Sequence, residues 1–293
     1  MKELAEIPHC KGVAVAMGGG LPFGVVSLGL LRLLEEKQVP VRALAGCSMG
    51  AIVSAIYSRN PNAFDVAGLL ADFFDTLSPA RLMIRDLGLF KPGLLRGKAI
   101  MDKVEELLGG DFMLEDSEIP LVINATDLLR GTAVFIKEGS ALDAIRASIS
   151  MPGIFTPWSY KDTYLVDGGI TCPVPAQALE GMGCPIIPVR ALRKLPDEDE
   201  VAREKEHFDG EHELQFGKAP AIIYVLWRAL GLIQQDDYSR QIMDDYPQAV
   251  APKISMELSG NLEKTRELVE LGYDEANRVW PEISASILAA QNS

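Results

Sequence analysis

Hydrophobic positions in the first sixty residues follow two patterns in turn, short apolar runs and apolar positions at helical spacing. A run at residues 12–17 stops at three consecutive glycines, which is typical of a buried strand that enters a turn. Residues 25–36 place apolar side chains at helical spacing and close with charged ones. A second strand is predicted at residues 41–45 and a second helix at residues 51–57. This order of elements predicts a βαβ unit with parallel strands.

Beyond residue 110 the pattern predicts further strands and one more helix. Apolar runs at residues 119–125 and 133–136 flank a polar stretch that contains glycine, so they are expected to pair as a hairpin. A helix is predicted at residues 141–148, and short strands at residues 163–166 and 185–189. Strands and helices that alternate in this way favour an α/β fold.

Composition and charge narrow the class of protein. The chain has 293 residues, of which 48% are hydrophobic and 24% charged, an ordinary globular composition. Its formal net charge of −13 argues against nucleic-acid binding, because phosphate neutralisation needs clustered lysine and arginine. Residues 193–213 carry 13 charged side chains and predict a solvated loop. Residues 219–290 are predicted to be helical, with one short strand near Ile254.

The cysteines and the N-terminal sequence indicate the cellular compartment of the protein. Cys10, Cys47, Cys172 and Cys184 show neither CxxC spacing nor a paired framework, which favours reduced thiols in a cytoplasmic protein. The N-terminus lacks the apolar stretch of a signal peptide, and no segment is long and apolar enough to span a bilayer. A soluble, cytoplasmic protein is therefore expected.

Candidate chemistry begins at Gly46-Cys47-Ser48-Met49-Gly50, between a predicted strand and a predicted helix. Small residues on both sides of a serine allow a tight turn that lifts the hydroxyl clear of the sheet. The positive end of the following helix favours the negative charge that develops near it during attack. This setting predicts a nucleophile at Ser48, although a GxSxG sequence also occurs in purely structural turns.

Three glycines after the first predicted strand strengthen this hypothesis. Gly20 and Ser48 each follow a strand, and a single crossover joins those strands, so both are expected at the same edge of the sheet. The N–H groups of Gly18, Gly19 and Gly20 are therefore predicted to face the serine as an oxyanion hole. A dinucleotide-binding loop is the alternative. Against it, the acidic residue expected after the second strand is missing, and no Walker-type GK[ST] sequence occurs.

The serine requires a proton acceptor, and histidines are scarce. His9 precedes the first strand, and His207 and His212 lie within the charged loop, so none falls in a segment predicted to form an ordered site. Asp167 follows a predicted strand and precedes two glycines, which puts its carboxylate where the chain opens into a turn. Asp167 is the candidate base, with an ordinary Asp-Gly turn as the structural alternative.

Four sequence blocks together resemble the bacterial patatin-like phospholipase family. They are the glycine run, the GxSxG turn, the sequence ASISMPGIF at residues 147–155, and VDGG at residues 166–169 followed by Pro173-Val174-Pro175. The resemblance implies a three-layer α/β/α fold around a central, mainly parallel sheet. It also implies one hydrolase domain over residues 1–293. The catalytic blocks then lie within residues 12–175, ahead of the charged loop and the C-terminal helices.

The same resemblance implies a lipid acyl hydrolase or carboxylesterase with a Ser–Asp dyad. Ser48 is then the nucleophile, Asp167 the base, and Gly18, Gly19 and Gly20 form the oxyanion loop. Acyl esters of phospholipids or related lipids are cleaved through an acyl-enzyme, with neither cofactor nor metal. The expected partner is a lipid or acyl-ester substrate, reached by transient contact with a membrane surface and without nucleic acid. Self-association as a homo-oligomer stays open.

Two departures from the family pattern keep other functions open. Phe23 precedes the last glycine of the loop where the family usually has arginine or lysine, and Cys172 replaces an asparagine often found after Asp-Gly-Gly. A catalytically silent binding or regulatory module is the alternative that these departures favour. An α/β-hydrolase triad with His207 or His212 is another, because the order Ser, Asp, His matches that class.

Overall fold

The computed structural model describes residues 11–20, 23–76, 95–190, 192–193, 198–199, 201, 241–242, 244–254 and 262–291. Its strands are β1 Val13–Met17, β2 Val41–Cys47, β3 Leu121–Asp127, β4 Thr132–Ile136, β5 Trp158–Tyr160, β6 Thr163–Asp167, β7 Ile186–Val189, β8 Leu192–Arg193 and β9 Lys253–Ile254. Its helices are α1 Ser27–Glu36, α2 Met49–Arg59, α3 Ala63–Thr76, α4 Lys98–Leu108, α5 Ala141–Ser148, α6 Leu262–Arg278 and α7 Trp280–Gln291.

A seven-stranded sheet forms the middle layer, in the order β5-β6-β3-β2-β1-β7, with β4 also paired to β3. The four strands β7, β1, β2 and β3 run parallel. Strands β4 and β6 run antiparallel to β3, and β5 runs antiparallel to β6. All five residues of β1 are buried, as expected for a central parallel strand that is covered on both faces.

The alternation along β1 divides the interior into two hydrophobic cores. Val13, Val15 and Met17 point into a large core that includes residues from α1 to α6. Ala14 and Ala16 point to the other face, where a smaller core is formed with residues from 174–182 and 242–249. Layers pack on both faces of the sheet, so the predicted three-layer α/β/α fold is confirmed.

Most predicted elements are found within one or two residues of their expected bounds. The largest shifts occur at the serine turn, where β2 extends to Cys47 and α2 begins at Met49, leaving Ser48 alone between them. The loop prediction is wrong at the described positions of the charged segment, since Arg193 ends β8 and residues 198, 199 and 201 are helical. A high density of charged residues predicts solvent exposure, and an exposed helix is as compatible with such a segment as a loop is.

Some predictions lie outside the described residues, among them His207, His212 and the helical segment 219–240. The expectation of reduced thiols is wrong for Cys184, whose sulfur takes part in a disulfide, whereas Cys47 and Cys172 are buried thiols. Disulfide formation depends on tertiary proximity, which cysteine spacing does not encode. Among the helices described, none is long and apolar enough to cross a membrane.

Candidate active site

Strand β3 brings the serine turn and Asp167 together. Strand β4 pairs along one side of β3 over its last five residues, so β2 and β6 must share the other side. Pairing with β2 ends at Cys47 opposite Asn124, and pairing with β6 includes Asp167 opposite Ala125. Because Asn124 and Ala125 are consecutive, the ends of β2 and β6 meet, and the two predicted catalytic side chains become neighbours.

The turn at Ser48 is a strained strand-to-helix elbow. Its φ of 50° and ψ of −115° lie where side-chain-bearing residues are rare, a conformation that costs about 1–3 kcal/mol. Both flanking glycines are sterically required. A Cβ at Gly46 would lie 2.3 Å from Ser54 Oγ, and one at Gly50 would lie 2.3 Å from the Met17 carbonyl oxygen. The GxSxG sequence is therefore what allows β2 to pass so abruptly into α2.

Ser48 and Asp167 are joined by a direct hydrogen bond. Ser48 Oγ donates to Asp167 Oδ2 at 2.8 Å, and the other carboxylate oxygen accepts the Gly169 N–H at 2.8 Å. Burial raises the pKa of Asp167 to about 6, while the bonds from Gly169 and Ser48 act in the opposite direction. Ser48 itself is only half-buried. The carboxylate is thus a stronger base than an exposed aspartate, next to a hydroxyl that solvent can reach.

Two of the three glycines in the loop donate their N–H groups to backbone carbonyls. The N–H of Gly18 donates to the Val189 carbonyl at 2.8 Å, and that of Gly19 to the Pro173 carbonyl at 3.2 Å. Oxyanion binding by Gly18 and Gly19 stays a prediction, although both N–H groups already have a carbonyl acceptor. Gly19 also lets the loop approach the elbow, since a Cβ there would lie 3.1 Å from Ser48 Cβ.

Other backbone donors at this edge have no acceptor among the described residues. They are the N–H groups of Gly20 and of Met49 and Gly50 at the start of α2. Met49 was not predicted as a donor, although the residue after an elbow serine commonly supplies an oxyanion N–H. The loop is closed by a 2.7 Å bond from the Gly24 N–H to the Gly20 carbonyl. Backbone geometry thus closes the loop although Phe23 supplies no cation.

Two serines that were not predicted hold the backbones of Ser48 and Asp167. The N–H of Ser48 donates to Ser148 Oγ at 2.8 Å. The N–H of Asp167 donates to the Ser150 carbonyl at 3.0 Å. Both serines belong to the block at residues 147–155 that resembles the family, and both are buried. That resemblance was the only sequence signal for them, because their contacts are long-range.

Asn124 and Thr126 of β3 support the turn that follows Asp167. The Asn124 amide donates to the Cys172 carbonyl at 3.0 Å, and a Cβ at Gly168 would lie 2.6 Å from the same amide nitrogen. The Thr126 hydroxyl donates to the Asp167 carbonyl at 2.9 Å. The turn is therefore anchored through its backbone despite the cysteine at position 172.

Cys47 is the other nucleophilic side chain at the elbow. Burial raises the pKa of its thiol well above the usual value, and the nearby Asp167 carboxylate adds to this effect. A thiol with a raised pKa stays protonated at neutral pH and is a weak nucleophile. The local electrostatics thus leave Ser48 as the better candidate for attack.

Comparison with known proteins shows which family the chain belongs to. The family model described as patatin-like phospholipase matches residues 15–179, which extend from β1 past both Ser48 and Asp167. That match covers more than half of the chain. The chain therefore belongs to the patatin-like phospholipase family.

Individual relatives are similar over the same part of the chain. An uncharacterised NTE family protein of Mycobacterium bovis is 33% identical over 174 residues, 58% of this chain and 46% of that protein. Lysophospholipase NTE1 of Saccharomyces cerevisiae is 27% identical over 185 residues, 63% of this chain and 11% of that protein. The chain therefore matches less than half the length of either relative. The structure of VipD from Legionella pneumophila shares the fold, with a TM-score of 0.51, 14% identity, and coverage of 93% of this chain and 67% of that one.

Proposed function

We propose that this protein hydrolyses acyl esters of lipids, with Ser48 as the nucleophile and Asp167 as the general base. The observation that carries the proposal is the 2.8 Å hydrogen bond from Ser48 Oγ to Asp167 Oδ2 at the strand-to-helix elbow. Membership of the patatin-like phospholipase family supports a lipid as the substrate. The raised pKa of Asp167, about 6, supports its role as a base that is ionised at neutral pH.

The proposed reaction proceeds through an acyl-enzyme. Ser48 Oγ forms a bond to the ester carbonyl carbon while Asp167 Oδ2 takes the hydroxyl proton, and the carbonyl electron pair moves onto its oxygen. Collapse of this tetrahedral oxyanion breaks the bond to the alcohol, which leaves with the proton from Asp167. Water then attacks the acyl-enzyme and gives a proton to Asp167, and the proton returns to Ser48 as the carboxylic acid departs.

We assign oxyanion stabilisation to the N–H groups of Gly20 and Met49. Neither has an acceptor among the described residues, and Met49 begins α2, so the positive end of that helix lies beside Ser48. The lack of room for a Cβ at Gly19, which would lie 3.1 Å from Ser48 Cβ, supports a short distance from the loop to the elbow. Loss of one such donor typically lowers kcat by about 10²- to 10³-fold.

Covalent labelling with a fluorophosphonate probe tests the proposal. We expect a single adduct on the peptide that contains Ser48, and hydrolysis of an acyl-nitrophenyl ester by the unlabelled protein. Ser48→Ala should abolish both, whereas the matched variant Ser58→Ala, another serine near α2's far end, should change neither. Absence of labelling in the folded protein would favour a silent binding module. An adduct on a different residue would remove Ser48 from the reaction.

We propose that the lipid surface is contacted through the turn between β3 and β4. Strand β3 extends three residues past Asn124, so this turn projects beyond the edge that carries the dyad. Leu128 and Leu129 are exposed there, Leu129 to 66%, and Tyr164 of β6 lies alongside with 51% exposure. Exposed leucines beside an aromatic side chain suit the interface between water and acyl chains.

Hydrogen bonds to a buried carboxylate fix the conformation of this turn. The buried Asp127 carboxylate accepts the N–H groups of Leu129 and Arg130, each at 2.9 Å, and the Thr163 hydroxyl at 2.7 Å. These bonds, that of Thr163 first, hold the pKa of Asp127 below its usual range. The turn therefore stays ordered with its leucines in solvent.

Substituting Leu129 with aspartate separates surface contact from chemistry. Leu129→Asp should reduce hydrolysis of phosphatidylcholine vesicles at least tenfold and leave hydrolysis of a soluble nitrophenyl ester unchanged. The matched control is Phe64→Asp, because Phe64 is 82% exposed at the start of α3, at the opposite edge of the sheet. Equal rates on vesicles for both variants would reject this contact. Equal losses on both substrates would indicate disruption of the fold.

A further inference from the structure

Residues 146–150, here named the brace, contact both members of the dyad from the carboxyl end of α5. Ser148 Oγ accepts the N–H of Ser48 at 2.8 Å, and the Ser150 carbonyl accepts the N–H of Asp167 at 3.0 Å. Ser48 and Asp167 are 119 residues apart in the sequence. Their acceptors are two residues apart. One short segment therefore sets the separation between the two backbones.

Arg146 ties the brace to the segments around it. Its buried guanidinium donates to the Arg96 carbonyl at 2.7 Å and to the Thr156 carbonyl at 2.9 Å. It also donates to Ser150 Oγ, which in turn donates to the Arg146 carbonyl at 2.7 Å. Because these bonds link three stretches of chain, the brace is a rigid support.

The backbone of Ser48 requires such a support. Strand β2 ends at Cys47, and Ser48 takes a φ of 50°, from which its backbone would relax if its N–H lost its acceptor. Ser148 has no exposed surface, so water cannot readily replace its hydroxyl. A relaxed Ser48 would carry Oγ out of hydrogen-bond reach of Asp167.

We infer that Ser148 is a positioning residue whose buried hydroxyl holds the Ser48 N–H and so keeps Ser48 Oγ within reach of Asp167. The inference rests on the proposed function, because it gives Ser148 a role in the same reaction. In this role Ser148 does not contact the substrate. Its loss should therefore lower kcat and leave substrate binding unchanged.

Steady-state kinetics of Ser148→Ala on a nitrophenyl ester test this inference. We expect kcat to fall at least tenfold with KM within about twofold of the wild-type value. The acid limb of the pH profile should move to higher pH, since Asp167 loses a bond from Ser48 that lowers its pKa. Ser148→Thr keeps the acceptor and should recover most of kcat. Ser58→Ala is the matched control, because Ser58 is a buried serine whose hydroxyl donates to the Ala55 carbonyl within α2.

The outcomes separate this inference from the proposed function. An inactive, unlabelled wild-type protein would reject the proposed function itself. An active wild type with unchanged kcat and pH limb in Ser148→Ala would overturn the positioning role alone. If Ser148→Ala does not fold, kcat is compared between Ser148→Thr and Ser148→Cys. The cysteine variant should have the lower kcat, because sulfur is a weaker hydrogen-bond acceptor than a hydroxyl oxygen. Equal kcat in those two variants would then overturn the inference.

Discussion

Folding changes the acid–base chemistry of the Asp167 carboxyl. In water an aspartate with its ordinary pKa, near 3.9, is a poor acceptor for an alcohol proton. Desolvation in the buried turn raises the pKa of Asp167 to about 6, although the Gly169 N–H and the Ser48 hydroxyl stabilise its ionised form. Burial therefore makes the carboxylate more basic, and the two hydrogen bonds keep it ionised at neutral pH.

The pH dependence of kcat/KM should report this pKa. Proton acceptance requires ionised Asp167, so activity should be constant above about pH 7 and fall about tenfold per pH unit well below pH 6. Measurement of kcat/KM on a nitrophenyl ester between pH 4.5 and 9 gives the acid limb of this profile directly. Circular dichroism at each pH verifies that the protein is folded. A limb near pH 4 would mean that the base titrates like a solvated carboxylate, which would contradict the desolvation of Asp167.

At the level of single residues, local sequence identified Ser48 and Asp167 as candidates but did not identify the residues that support them. The elbow and the Asp-Gly-Gly turn each require a particular local conformation, and that requirement is visible as glycines beside Ser48 and Asp167. Ser148 and Asn124 act through side-chain contacts with residues 100 and 48 positions away. Hydrogen bonds of that range leave no periodic or compositional signal in one sequence.

Among the elements, helices α1 and α6 approach each other closely at two glycines. A Cβ at Gly29 of α1 would lie 2.2 Å from the Tyr273 backbone nitrogen. A Cβ at Gly272 of α6 would lie 2.0 Å from the Val26 carbonyl oxygen. Because neither position has room for a side chain, the glycines permit direct contact between the two backbones. This contact anchors a C-terminal helix onto the first βαβ unit.

Alanine at Gly29 should therefore destabilise the protein. Overpacking of a close contact typically costs about 1–3 kcal/mol of unfolding free energy. The matched variant is Gly68→Ala on the exposed face of α3, where an added Cβ would meet nothing within 4 Å. That change should stabilise the protein by about 0.5–1 kcal/mol, since alanine is the better helix former. Urea unfolding monitored by circular dichroism measures both, and equal effects would contradict the packing argument.

The order of elements was predictable, but one arrangement in the sheet was not. Apolar periodicity predicts β1, α1, β2 and α2 because each depends on its own residues. That β6 continues along β3 where β2 ends depends on two long-range pairings, Cys47 opposite Asn124 and Asp167 opposite Ala125. Hydrophobic patterns do not specify strand partners, so proximity of Ser48 and Asp167 could be expected only from family resemblance.

Over the whole molecule, the chain contains three histidines, His9, His207 and His212. In a serine triad an imidazole stands between the serine oxygen and the carboxylate. Here Ser48 Oγ and Asp167 Oδ2 are 2.8 Å apart, and a ring cannot fit between atoms at hydrogen-bond distance. The geometry therefore argues against the triad alternative, wherever the histidines lie.

A variant without histidine provides the decisive measurement, because histidine titrates near pH 6.5 and an acid limb alone would not exclude it. With His9, His207 and His212 all replaced by alanine, kcat/KM should stay within about threefold of the wild-type value. The acid limb should still lie near pH 6, since Asp167 sets it. Loss of more than a hundredfold in the folded variant, with activity restored by returning one histidine, would instead establish a triad and displace Asp167 from the role of direct base.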